Sequence, residues 1–158
     1  VSTSCNTVIF PRVDPVVIML VVSADGQQCL LGRNPGYPGN LVSALAGYME
    51  PGESIEEAVR REILEEAGVE VSAVRYFTSQ PWPFPATLMI GCFAVAEHMA
   101  LDVNYDELEW ARWFAKNEVQ TLFTGLNEEL SAPRSIAIAY HLIKHWLAYG
   151  LQASPGST

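Results

Sequence analysis

Residues 47–69 read Gly47-Tyr48-Met49-Glu50-Pro51-Gly52-Glu53-Ser54-Ile55-Glu56-Glu57-Ala58-Val59-Arg60-Arg61-Glu62-Ile63-Leu64-Glu65-Glu66-Ala67-Gly68-Val69. The stretch opens with a turn at Pro51-Gly52 and passes into a helix whose ends are both written in the sequence. Ser54 followed by Glu57 is a capping box, in which each side chain accepts from the other residue's backbone amide. Gly68 is a stop signal, since glycine adopts the left-handed backbone of a helix C-terminus at little cost. The spacing predicts a helix over 54–67.

At about 100° per residue, Glu62 and Glu66 stack one above the other, and Glu65 sits about 60° round from Glu62. Ile55 and Val59 fall on the same side and should face a core. Like charges four residues apart destabilise a helix by only a few tenths of a kcal/mol. Carboxylates at a core boundary, however, call for a counter-ion, and their hard oxygens suit Mg²⁺ or Mn²⁺. Glu53 adds a fourth carboxylate near the first turn. Arg61 can pair with Glu53, Glu57 or Glu65 and hold the array. The alternative is a solvated surface helix that happens to be rich in glutamate.

Outward from this helix, the chain alternates strand and helix signals. Residues 16–23 form a β-branched and aliphatic run that reads as a buried strand. Asp25-Gly26 marks a hairpin turn, with 29–33 as the return strand. Residues 34–40 read as a loop and 41–49 as a short strand. Further strands are expected at 69–77, 88–97 and 111–115. Residues 79–85 hold three prolines and are expected to form an ordered loop, and 102–108 an acidic turn. Helices are expected at 117–124, with Asn117 as cap, and at 135–149. The mixture predicts an α/β or α+β class.

The chain has 158 residues, 49% of them hydrophobic and 17% charged, enough for one domain with a full core. Its net charge of −9 argues against a non-specific nucleic-acid binder. It also poses a problem for a phosphate substrate that a divalent cation would solve. Three cysteines (Cys5, Cys29 and Cys92) are too few and too odd in number for a disulfide framework, and suit a reducing, cytoplasmic compartment. The longest strongly apolar run is too short to cross a membrane, and no signal sequence is evident.

The fixed positions of the opening stretch follow GX5EX7REUXEEXGU, from Gly47 through Glu53 and Arg61-Glu62 to Glu65-Glu66 and Gly68-Val69. This resembles the Nudix box. The resemblance implies an α/β/α sandwich with a mixed central sheet, and hydrolysis of a nucleoside diphosphate linked to another moiety. It implies two or three Mg²⁺ or Mn²⁺ ions bound by the glutamates at Glu62, Glu65 and Glu66, with Glu53 in support and the Gly47 carbonyl as a further ligand. Glu107, outside the box, is implied to join them. For the general base, Glu66 is the first choice, with Glu53 and Glu107 as alternatives. Such ions would neutralise a pyrophosphate's charge and acidify a bound water.

The segment Ser79-Gln80-Pro81-Trp82-Pro83-Phe84-Pro85-Ala86-Thr87 is similar to SQPWPFPxS, the marker of the NADH pyrophosphatase branch, with Thr87 where Ser is usual. Trp82 and Phe84 offer flat faces for a base, and Gln80 and Thr87 offer hydrogen bonds. The alternative is a proline–aromatic loop that packs on the core. By the same resemblance, Phe10 and Tyr48 flank the nucleotide and the backbone at Ala139 touches it. His141 and His145, four apart on a predicted helix, have metal-binding spacing but no evident third ligand.

Cys5 matches the last cysteine of a four-cysteine zinc ribbon, so zinc is not expected in this chain. The expected organisation is a ribbon remnant and linker at 1–15, the catalytic domain at 16–150 and a flexible tail at 151–158. The expected substrates are NADH and NAD⁺, cleaved to NMN(H) and AMP, with NAD-capped RNA as a further substrate and a homodimer as the assembly. ADP-ribose or another dinucleotide is the alternative substrate, and a non-catalytic nucleotide-binding domain the alternative class.

Overall fold

A run of nine residues at Asp14–Val22, DPVVIMLVV, forms β1, which is buried on both faces because it lies between two layers of helices. Val17, Met19 and Val21 point into one apolar cluster, while Ile18, Leu20 and Val22 point into another. Such two-faced burial explains why the run is continuously apolar rather than alternating. This computed structural model describes residue 8 and residues 10–152.

The elements follow in the order β1, β2 (Gln28–Arg33), β3 (Leu45–Tyr48), α1 (Ile55–Ala67), β4 (Val71–Trp82), β5 (Thr87–Ala96), β6 (Trp110–Ala115), α2 (Lys116–Thr124) and α3 (Ile138–Tyr149). The sheet is mixed, with strand order β4-β5-β1-β2-β6. β1 and β5 are parallel, and the other pairs are antiparallel. β2 and β3 share one edge of β1. β2 pairs near Val21 and Val22, and β3 pairs along Val16–Met19. α1 covers one face through Ala58, Val59, Ile63 and Ala67. α2 and α3 cover the other, where Leu142, Ile143 and Trp146 are fully buried. The fold is the mixed α/β/α sandwich that the sequence led us to expect.

Most boundaries shift by one or two residues from the sequence expectation, and four differences have a structural cause. Residues 79–82 are not loop; they continue β4, with Ser79, Gln80 and Trp82 opposite Ile90, Met89 and Thr87. Pro81 is tolerated there because β4 is the sheet edge, where one side of the strand has no ladder partner. Only 83–86 form the turn, which contains a cis Phe84-Pro85 bond. α2 takes Ala115 as N-cap, so Asn117 falls inside its first turn; the Glu118 carboxylate accepts from the Ala115 amide at 2.8 Å. α3 starts at Ile138 rather than 135, after a turn. β3 is confined to four residues, because 41–44 make only isolated bridges. Cys5 and residues 153–158 of the expected tail lie outside the described residues. No helix among the described residues is long and apolar enough to cross a membrane.

Candidate active site

The caps of α1 form as the sequence predicts. The Glu57 amide donates to Ser54 Oγ at 3.2 Å, and the Ser54 amide donates to Glu57 Oε2 at 2.8 Å. Gly68 closes the other end in the left-handed region, with φ 66°. A helix fixed at both ends fixes the azimuth of its glutamates. Glu62 and Glu66 are turned inward and are only 7% and 4% exposed.

Glu62 reaches back against β3 at Gly47. A Cβ built on Gly47 would lie 1.9 Å from Glu62 Cδ, so no other residue fits there without moving the carboxylate. From the C-terminal end of α1, the loop at 102–107 docks by backbone bonds. Asp102 N donates to the Ala67 carbonyl at 2.9 Å and Asn104 N to the Glu66 carbonyl at 3.0 Å. Asn104 Nδ2 then donates to Glu107 Oε1 at 3.2 Å, which orients that carboxylate toward the cluster. Glu62, Glu65 and Glu107 thus lie close enough to Glu66 for their charges to act on it, Gly47 lies against Glu62, and Glu53 joins them through Arg61.

Arg61 supplies the positive charge within this cluster. Its guanidinium donates to Glu53 at 2.5 and 2.8 Å, to Glu62 at 2.8 Å, to Glu65 at 3.0 Å and to the Tyr48 carbonyl at 2.9 Å. The Arg61 hydrogen bonds and the Glu50 amide hold the Glu53 carboxyl down at about 2. Burial raises Glu62 despite Arg61, and Glu65 and Glu107 add to the rise. Glu66 is out of Arg61's reach. Burial, then the charges of Glu62, Glu107 and Glu65, push its carboxyl up to about 8. Its Oε2 is buried and has no hydrogen-bond partner. A buried acceptor left unpaired costs more than a paired one, so this is the point of the cluster that most favours a proton or a cation. Among the described residues, no three His, Cys, Asp or Glu side chains are already grouped as a metal centre.

Glu66 faces a small cavity of about 20 Å³, also lined by Asn34, Tyr37, Ala46 and Leu108. Tyr37 is a wall of a much larger cavity as well, of about 890 Å³, which takes in Gln80, Trp82 and Ala139. That volume suits a nucleotide-sized ligand. The sequence-predicted residues Gln80, Trp82 and Ala139 are brought together here. Phe10, Tyr48 and Phe84 are not part of its wall and stand exposed, at 81%, 62% and 71%. The strand register sets Tyr48 beside Val16 and Thr87 beside Asp14, so these aromatics gather near the beginning of β1. Thr87 is buried, and Trp82 packs edge-on against Phe84 at 5.5 Å between centroids.

Tyr37, Ser43 and Arg134 line the large cavity without having been picked out from the sequence. They sit in irregular segments, where no periodicity reports burial. The only advance signal was the Gly/Pro/Asn content of 34–40. Arg33 anchors that loop, pairing with Glu109 at 2.5 Å and donating to the carbonyls of Leu41 and Tyr37. Tyr37 is itself bonded to Ser43, and burial raises its hydroxyl. His141 bonds the Ser135 carbonyl, and buried His145 bonds the Gln152 carbonyl while packing on Phe77, Phe93 and Tyr149.

Residues 12–133 match the NUDIX domain model. The chain is 52% identical over 139 residues to the NAD-capped RNA hydrolase NUDT12 of Macaca fascicularis, covering 87% of this chain and 30% of that protein. It is 44% identical over 159 residues to the mitochondrial NAD(P)H pyrophosphatase NUDT13 of Mus musculus, covering 93% and 45%. The chain therefore spans less than half the length of either relative. Among solved structures, a NUDIX hydrolase from Nitrosomonas europaea superposes with a TM-score of 0.72 at 18% identity, covering 92% of this chain and 76% of that one. At that identity the likeness concerns the fold.

Proposed function

The chain belongs to the Nudix hydrolase family, and on that premise we propose that it cleaves the pyrophosphate bond of NADH and NAD⁺. Water adds to one phosphorus, the bridging P–O bond breaks, and the products are NMN(H) and AMP. The observation that carries this reading is the shared wall at Tyr37. It joins a nucleotide-sized cavity to the compartment of a buried, unpartnered Glu66. The NAD-linked names of the relatives support the choice of substrate. By the same support, NAD-capped RNA is a substrate in which the cap carries recognition, since a net charge of −9 opposes non-specific contact with the RNA backbone.

The reaction calls for Mg²⁺ or Mn²⁺, two or three ions, and the donor set fits them. Glu62, Glu65, Glu66, Glu107 and the Gly47 carbonyl are all hard oxygen donors, one of them an orphaned buried carboxylate oxygen. Bound there, divalent ions neutralise the pyrophosphate and lower the pKa of a water. The protein's own groups do the rest. Glu66 takes the proton from the attacking water. Glu107 is the alternative base, and Glu53 is a weaker one because Arg61 holds it ionised. Arg61 ties Glu53 and Glu62 into one rigid unit. Phe10, Tyr48, Trp82 and Phe84 provide faces for base stacking, Thr87 a polar contact and Ala139 its backbone, while Gln80 borders the pocket with its amide engaged by Ile136 and Ile138.

The proposal extends to a homodimer in a reducing, cytoplasmic compartment. Supporting it are the exposed aromatics near the beginning of β1, whose faces not taken by the base a partner would cover, and the free thiols Cys29 and Cys92. The test of substrate is a panel of NADH, NAD⁺ and ADP-ribose with Mn²⁺. We expect kcat/KM for NADH or NAD⁺ to exceed that for ADP-ribose. A preference of about tenfold or more for ADP-ribose, equivalent to roughly 1.4 kcal/mol, would move the assignment to that substrate.

A further inference from the structure

α3 begins without a cap of its own. Its N-cap residue, Ala137, has no side-chain oxygen to accept from the first turn, and the first amides of any helix need partners from outside it. One partner comes from 58 residues earlier in the chain: the Ile138 amide donates to Gln80 Oε1 at 2.8 Å. The other end of the same side chain, Gln80 Nε2, donates to the Ile136 carbonyl at 2.6 Å. A single amide thus grips the residues on either side of Ala137.

This grip spans the large cavity. Gln80 lies on the edge strand β4, two residues before Trp82 and therefore on the same face of the strand. Ile136, Ala137, Ile138 and Ala139 belong to the opposing wall. Ile138 is buried in the core beside Gly91 of β5, whereas Ile136 is 66% exposed, so the Gln80 amide ties the exposed end of this turn to β4. The hydrogen bonds of Gln80 therefore join the packing of Ile138 in fixing the separation between β4 at Trp82 and the backbone at Ala139.

We infer that Gln80 is a positioning residue, a helix cap supplied across the cavity that fixes the width of the substrate slot and acts on the substrate through the start of α3. The inference rests on the reaction proposed above for its kinetic consequence, but its structural half stands without it. Two variants test it. Gln80→Leu removes both hydrogen bonds at similar volume. Gln80→Glu keeps the acceptor for Ile138 and sets an oxygen against the Ile136 carbonyl.

In the ligand-free protein, exchange of the Ile138 amide with solvent should be about tenfold faster in Gln80→Leu than in wild type, and much less accelerated in Gln80→Glu. That is the ratio expected for losing one net hydrogen bond. Both variants should raise KM for NADH by about tenfold while leaving kcat within about threefold and Mn²⁺ binding unchanged. Unchanged exchange at Ile138 would overturn the clamp. Unchanged KM, or a parallel loss of kcat and Mn²⁺ binding, would reduce it to an ordinary stabilising contact and overturn the positioning role. If wild-type protein fails to cleave NADH, the proposed reaction falls, and the exchange measurement still decides the clamp.

Discussion

At Glu66 burial and neighbouring charge act in the same direction. The carboxyl is 4% exposed, and its pKa rises from the ordinary 4.5 to about 8 because burial and then Glu62, Glu107 and Glu65 disfavour its ionised form. The folded protein thus binds a proton that the unfolded chain would release above about 4.5. The stability linked to that proton is complete below the unfolded value and lost as pH rises through about 8. Without divalent ions, the melting temperature should fall between pH 5 and pH 9, with Glu62 contributing in the same sense. Glu66→Gln should flatten much of that fall, and the same change should lower turnover by about 10²-fold or more. Thermal melts with a chelator across this range check the first part. A wild-type melting temperature that rises toward pH 9 would contradict it.

At the scale of the element, α1 was legible because its determinants are local. Ser54, Glu57 and Gly68 are a few residues from the backbone groups they satisfy, and the phase of Glu62 and Glu66 follows from helix geometry alone. Ser54→Ala should therefore cost about 1 kcal/mol and lower the melting temperature by about 2–4 °C. A melt within about 0.5 °C of wild type would mean that tertiary contacts, not the cap, hold this end of the helix. β4 was not legible in the same way. The prolines around Trp82 argue locally for a loop, but pairing with β5 overrides them, and Pro81 sits where a missing N–H does no harm. Gln80 shows the same limit. Its partners lie 56 and 58 residues away, and nothing near it in sequence announces a helix cap.

At the scale of the whole molecule, two helical layers press on a sheet that divides along one edge of β1, where β3 pairs with Val16–Met19 and β2 with Val21 and Val22. The mixture of strand and helix signals foretold only an α/β or α+β class, and the resemblance of residues 47–69 to the Nudix box implied the sandwich. The large cavity was foretold only in part, through Trp82, Gln80 and Ala139, because its other walls are loops brought together by the fold. The net charge of −9 gains a meaning at this scale. A concentration of carboxylates around Glu66 repels a pyrophosphate unless cations are present, so the proposed reaction calls for divalent ions at this site. Identifying the products shows which bond is cut. After incubation with NADH and Mn²⁺, NMNH and AMP should appear in equal amounts, and neither should appear when a chelator is present. Intact NADH after prolonged incubation with Mn²⁺, or products from cleavage at the nicotinamide–ribose bond, would contradict the proposed reaction.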